Sequence, residues 1–177
     1  MNVFANLPRL FWLFFTAGAI ALSPAAHAWD WNWGWGGNSV KGSGIVKNES
    51  RNIAGFSSIS ISIPARLTIV QGETEGVVLE GDDNILPLIE TVVDDRQLQI
   101  RFKEKNLSVS SNSLKLTVNV KSIDGVAVAG SGDATVWAKE SLTVSVAGSG
   151  DVKYYGDAKV SKSIAGLGSV KRLGTAP

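Results

Sequence analysis

Two aspartates close an identical five-residue string, AGSGD, at Ala129–Asp133 and again at Ala147–Asp151. Glycines next to a carboxylate are the raw material of loops that hold phosphate or calcium. A phosphate loop needs G-x-x-x-x-G-K-[ST] opening into a helix, and AGSGDATVW offers neither the lysine nor a helix signal. Calcium takes about six to eight oxygens, and the worn third copy, AGLGS at Ala165–Ser169, has serine where a third aspartate would stand. Paired carboxylates can also work as acid and base on a glycosidic bond. The candidates are Asp133 with Asp151, or the acidic turns Asp82-Asp83 and Asp94-Asp95. At loop positions such carboxylates ordinarily cap turns through nearby backbone N–H groups, or meet solvent. That is the expectation for all of them, with no catalytic residue, metal or cofactor.

Aromatic residues are the second chemical resource. Trp29, Trp31, Trp33 and Trp35 alternate strictly in WDWNWGWGG, so an extended chain would present all four rings on one face. A sugar platform, an interfacial anchor and a leader folded against a β surface are the alternatives. Further on, Trp137 and Tyr155 fall eighteen residues apart and read as a packed pair. Tyr154, alternating with Tyr155, is expected to face solvent and is the better ligand contact, together with the four leader tryptophans.

The first residues decide which chemistries remain available. Arg9 precedes the apolar run Leu10–Leu22, Ser23-Pro24 breaks it, and Ala26-His27-Ala28 has the small-x-small form of a signal cleavage site. The run is short for a bilayer span, which needs roughly 20 residues. An uncleaved anchor is the alternative; cleavage after Ala28 is the expectation. The only histidine, His27, leaves with this segment, and the chain has no cysteine. Nucleophilic schemes that need imidazole or thiol are then excluded, as are zinc sites built on them, disulfides and a lipid-anchored cysteine. With Arg9 removed from 17 Lys+Arg, 16 remain against 16 Asp+Glu. That balance argues against nucleic acid, whose binders carry a basic excess.

The elements that must position these residues are strands. Phe56, Ile59, Ile61 and Ile63 form an apolar ladder that Pro64 breaks. Leu67–Val70 and Val77–Glu80 are alternating runs joined by Gln71–Gly76, with Gly81–Asn84 ending the second. Ile85–Val93 crowds apolar residues and has room for a short helical turn. Asp94-Asp95-Arg96-Gln97 reads as a tight turn into Leu98, Ile100 and Phe102, and Leu114, Leu116, Val118 and Val120 alternate again.

From Ile123 the chain repeats every eighteen residues. Val128, Val146 and Ile164 share a column, as do Gly130, Gly148 and Gly166, and Gly132, Gly150 and Gly168. Ala134, Val152 and Val170 form a small apolar column, and Trp137, Tyr155 and Leu173 a bulky one, with no insertion to break the register. A unit this short buries its apolar face only by stacking on its neighbours. The paired glycines then sit at a corner, where φ is positive or a Cβ has no room. A left-handed hexapeptide coil is the alternative to a right-handed one. Val128, Ala134, Val146, Val152, Ile164 and Val170 fall at six-residue steps, although Glu140 interrupts them.

These strings, with FSSISISI, LTIVQGE and VVLEGDDNILPLIETVVDDRQLQI upstream, resemble the bacterial GIN domain, described as an autotransporter-adhesin head. The resemblance runs from about Gly44 to Gly174. It implies an all-β, single-stranded right-handed β-helix, a pectate-lyase-like β-solenoid, and an adhesive role without enzymatic activity. The short repeat region argues against an extended stalk. The expected organisation is a signal peptide over 1–28, a Trp/Gly-rich leader over 29–43 and the β domain over 44–177. The expected protein is exported to the periplasm or outer cell surface, and is not integral to a membrane after cleavage. Its expected partners are an envelope or host polysaccharide or a protein surface, and a second copy of itself through the open end. The rivals are a polysaccharide-binding or polysaccharide-cleaving envelope protein and a periplasmic scaffold.

Overall fold

The structure, a computed structural model, describes residues 38–111 and 113–175. Ala28, Trp29, Trp31, Trp33 and Trp35, and with them the signal and aromatic-leader expectations, lie outside the described residues. What is described is all-β, with one 3-10 turn and fifteen strands.

Strands β3 (Ser58–Ile61), β10 (Gly125–Gly130), β12 (Ser141–Gly148) and β14 (Lys159–Gly166) pair in parallel, with β7 (Gln97–Phe102) beyond β3. With β6 (Ile89–Asp94) they make a six-stranded sheet ordered β14-β12-β10-β3-β7-β6. The second sheet holds seven strands in the order β15-β13-β11-β4-β9-β5-β2. These are β15 (Ser169–Gly174), β13 (Asp151–Tyr155), β11 (Asp133–Trp137), β4 (Arg66–Gln71), β9 (Lys115–Val120), β5 (Gly76–Asp82) and β2 (Val46–Arg51). Parallel pairing runs from β15 to β9, whereas β5 and β2 pair antiparallel. A small separate pair joins β1 (Ser39–Lys41) to β8 (Ser108–Ser110).

Alternation sends every second side chain of each sheet into a shared core. Across the first sheet the inward columns read Leu98–Ile59–Val126–Val144–Lys162 and Ile100–Ile61–Val128–Val146–Ile164, buried as far as β12 and exposed on β14. Across the second they read Leu116–Leu67–Ala134–Val152–Val170 and Val118–Ile69–Val136–Tyr154–Arg172. The eighteen-residue columns thus stack as expected, and they continue onto β3 and β4. The chain makes one rung with β3 and β4, leaves it to build β5 through β9, and returns to add β10 and β11 on top.

Three local readings change. Ile85–Val93 contains the helical turn, Leu86–Leu88, but its second half is strand β6. This strand pairs antiparallel with β7 through a hairpin whose two loop residues, Asp95 and Arg96, have φ of 45° and 61°, the twist a two-residue hairpin prefers. Arg96 is held there because its carbonyl accepts Ser57 N at 3.0 Å and its guanidinium reaches Ser57 Oγ at 3.1 Å. The bulky column is broken in the last copy: Tyr154 faces Arg172, but Tyr155 faces Gly174, so Leu173 bulges out of register. Finally, Tyr154 does not point to solvent. Its partner across the rung, Val136, is fully buried, and Tyr154 packs half-buried against the core. Trp137 and Tyr155 take the outward-facing positions instead.

Candidate functional site

Each AGSGD string ends one strand and opens the next. β10, β12 and β14 stop at Gly130, Gly148 and Gly166, and β11, β13 and β15 begin at Asp133, Asp151 and Ser169. The corners are bonded to one another. Gly130 O accepts Ser149 N at 2.9 Å and Gly150 N at 3.1 Å, and Gly148 O accepts Leu167 N at 2.9 Å and Gly168 N at 3.0 Å. Gly148 has φ +125°, and a Cβ there would run into the Gly130 carbonyl. At Gly150 a Cβ would strike Gly132 O and stand 2.9 Å from Val128 Cγ1. Close stacking of corner on corner therefore leaves no room for side chains at Gly132, Gly150 and Gly168.

The aspartates bond along the stack rather than within their own turns. Asp133 Oδ1 accepts Asp151 N at 3.1 Å, and Asp151 Oδ1 accepts Ser169 N at 2.9 Å and Ser169 Oγ at 2.7 Å. Those bonds from Ser169 hold the Asp151 carboxyl below the usual carboxylate range, with Lys153 adding a smaller electrostatic pull. A carboxylate tied this way joins one coil to the next. The corner is a seam between coils.

Asp82 was expected in a solvated turn and is instead only 4% exposed, because β5 continues through it. Its Oδ1 accepts Gly44 N at 2.8 Å, and its Oδ2 accepts Ser111 Oγ at 2.5 Å and Ser113 Oγ at 3.2 Å. The Ser111 bond is the main reason its pKa is lowered. Asp83 Oδ1 accepts Ser43 Oγ at 2.7 Å, and Asn84 bonds Ser43 N at 2.9 Å and Lys41 O at 2.8 Å. Asp82, Asp83 and Asn84 together clamp residues 41–44 beside a cleft of about 320 Å³ that also includes Lys41 and Ser110. No sequence period marks this clamp, whose partners lie 29 to 43 residues away. Asp94 and Asp95 belong to the β6–β7 hairpin.

The aromatic pair lies elsewhere, at the other end of β11 and β13. Trp137 and Tyr155 are neighbours across the rung, with ring centroids 6.2 Å apart and planes at 75°. Edge-to-face contact of this kind suits the charge distribution of aromatic rings. The pair lines a cleft of about 290 Å³ with Gln71, Ala138, Lys139, Gly156 and Asp157. Among the described residues, no three His, Cys, Asp or Glu side chains gather as a metal site would require. No described helix is long and apolar enough to cross a membrane.

The family profile described as "Putative auto-transporter adhesin, head GIN domain" matches residues 55–131 and 124–158, more than half of the chain. The chain belongs to the GIN-domain family. Within this GIN chain the two matches overlap on β10, the first strand of the eighteen-residue repeat. No curated protein matches the chain. Solved structures similar to the GIN chain include a putative adhesin from Parabacteroides merdae, 14% identical, covering 77% of this chain and 99% of that one, with a TM-score of 0.46. A putative lipid binding protein from Parabacteroides distasonis is 15% identical, covering 77% and 100%, at 0.46. A putative cell adhesion protein from Clostridium sporogenes is 14% identical, covering 75% and 100%, at 0.47.

Proposed function

We propose that this GIN-domain chain is an exported, non-enzymatic surface-interaction protein whose rungs wind as a right-handed β-helix. Parallel strands linked by crossovers in one sheet are right-handed in the great majority of proteins, and here both sheets repeat such connections. The observation that carries the functional reading is the outward face of the stack. Small and polar residues fall in register there, as Ser60–Ala127–Ser145–Ser163 on one sheet and Thr68–Thr135–Lys153–Lys171 on the other. Adjacent rungs lie about 4.8 Å apart, so these columns make flat arrays suited to extended contact. Of the carboxylates considered for an acid–base pair, Asp133 and Asp151 are engaged between coils, Asp82 and Asp83 in the clamp, and Asp94 and Asp95 sit at the β6–β7 hairpin.

The signal segment and cleavage after Ala28 belong to the same proposal, as does placement in the periplasm or on the outer surface. Protease added to intact cells tests it. Degradation of the chain without lysis supports surface display, and protection until the outer barrier is opened assigns a periplasmic role. Recovery from the cytoplasm with His27 still attached would falsify the exported reading.

A further inference from the structure

We infer that the Trp137–Tyr155 cleft is a binding site for a neutral oligosaccharide, a chain of linked pyranoses. The inference rests on the surface-interaction reading and gives it a ligand class and an address. Four observations support it.

The first is the aromatic wall. Both rings come from outward positions of the second sheet and are half-buried. They meet edge to face, at 75°, so their mutual contact covers one face of one ring and not the broad sides of both. A pyranose presents a patch of C–H bonds on one face, and an open aromatic face is the surface that patch packs against.

The second is the polar rim. Gln71, Lys139 and Asp157 line the same cleft, giving an amide, an ammonium and a carboxylate to meet the ring of hydroxyls around a sugar. Asp157 is positioned by Arg172, whose guanidinium bonds its carboxylate and also donates to Gly156 O at 2.9 Å. An apolar wall with a few placed polar groups is the usual composition of a small-molecule site.

The third is an acceptor left without a partner. Gln71 Nε2 donates to Lys121 O at 2.9 Å, which fixes the orientation of the amide. Its Oε1 is buried and has no hydrogen-bond partner among the described residues. Buried oxygens are nearly always bonded, so a small turn of this cleft-lining side chain that brings Oε1 to a ligand hydroxyl would supply the missing bond.

The fourth is extent and charge. A second depression, of about 80 Å³, shares Gln71 and Lys139 with the first and adds Asp124 and Glu140. Two depressions joined through common residues fit consecutive sugars better than one. Lys139 shares that depression with the carboxylates Asp124 and Glu140, and Arg172 is already paired with Asp157. This balance disfavours a uronate polymer and leaves neutral sugars as the class.

Binding of the full chain to neutral hexasaccharides of glucose, galactose, mannose and N-acetylglucosamine tests the inference, with hexagalacturonate as the charged comparison. The expected result is saturable binding of at least one neutral hexasaccharide. Trp137→Ala is expected to weaken it at least tenfold, and Asp157→Asn severalfold. Because Trp137→Ala also removes packing, Tyr155→Phe serves as the control that keeps the ring and should retain most binding. No neutral binding at millimolar concentration, tighter binding of hexagalacturonate, or affinity unchanged in both Trp137→Ala and Asp157→Asn overturns the site. Protease accessibility on intact cells is scored separately on the same variants. A chain displayed at the surface that binds no sugar refutes the cleft alone, whereas a cytoplasmic chain refutes the reading beneath it.

Discussion

The inner coils and the last coil are built from one repeated sequence, yet they are governed by different physics. In the coil of β12 and β13, Val144, Val146 and Val152 are buried between a rung on either side. In the coil of β14 and β15, the corresponding positions are Lys162, Ile164 and Val170. Ile164 is 41% exposed and Leu167, at the corner, is 91% exposed. Lys162 and Arg172 occupy columns that are otherwise apolar up to Tyr154. Charge at inward positions is a familiar way to discourage further strand pairing at an open edge. The repeat therefore decays in the last described coil, where charge stands at inward positions that are apolar in the coils before it.

The sharpest test of this contrast uses one residue type in one column. Ile61 is fully buried and Ile164 is 41% exposed, yet they lie three rungs apart on the same ladder. Ile61→Ala is expected to cost about 2–5 kcal/mol, the usual range for a buried isoleucine, and Ile164→Ala under about 1 kcal/mol. Urea unfolding of the two variants measures both. Equal losses would mean that the last coil is covered in solution.

Gly150 and Gly168 give a smaller difference of the same kind. A Cβ at either would collide with the carbonyl of the corner before it. Gly150 is held between two corners, and its alanine variant should lose about 1–3 kcal/mol through overpacking. Gly168 has a corner on one side only, so the last coil can shift outward and the loss should be smaller. Thermal unfolding ranks the two variants, and a Gly168→Ala variant less stable than Gly150→Ala would contradict the contrast.

The smallest effect is expected in acid, at the joint between the two regions. Asp151 is the carboxylate that accepts from Ser169, and its pKa is lowered by those bonds. Its contribution is therefore complete above the ordinary aspartate range near about 4, and is lost as pH falls through the lowered value. Hydrogen exchange at Ser169 N should accelerate below that point before exchange in β10 does. Asp151→Asn should flatten the pH dependence, and simultaneous acid loosening of all coils would show that the joint is not the weak point.

How far these contrasts could be read beforehand depended on the range of the interactions. The eighteen-residue columns were legible because every partner sits one period away, and apolar alternation located most strands. The first rung went unrecognised as a rung, since Ser62-Ile63-Pro64-Ala65 stands where later coils have Ala129-Gly130-Ser131-Gly132. Its partner strand follows 67 residues later, after β5 through β9. Tyr154 lies two residues from Val152 and so shares its inward face, whereas the matching Trp137–Tyr155 column had suggested that Tyr155 was the packed ring. Asp82 resembled any acidic turn residue, and only the approach of Gly44, Ser111 and Ser113 makes it a buried clamp. The aromatic pair was visible as a column, but its cleft was not, because Gln71 and Asp157 come from separate parts of the chain.

The corner bonds also make the stack a counting device with a reusable socket. Gly130 O receives the next corner, Gly148 O receives the one after, and Gly166 repeats the same left-handed geometry at the end of the series. An extra eighteen-residue unit joined after Gly174 would meet a carbonyl already presented for it, once Lys162 and Arg172 were returned to apolar residues. The length of such a protein can then change in whole coils by duplication, while the base formed by β2 to β9 stays as it is.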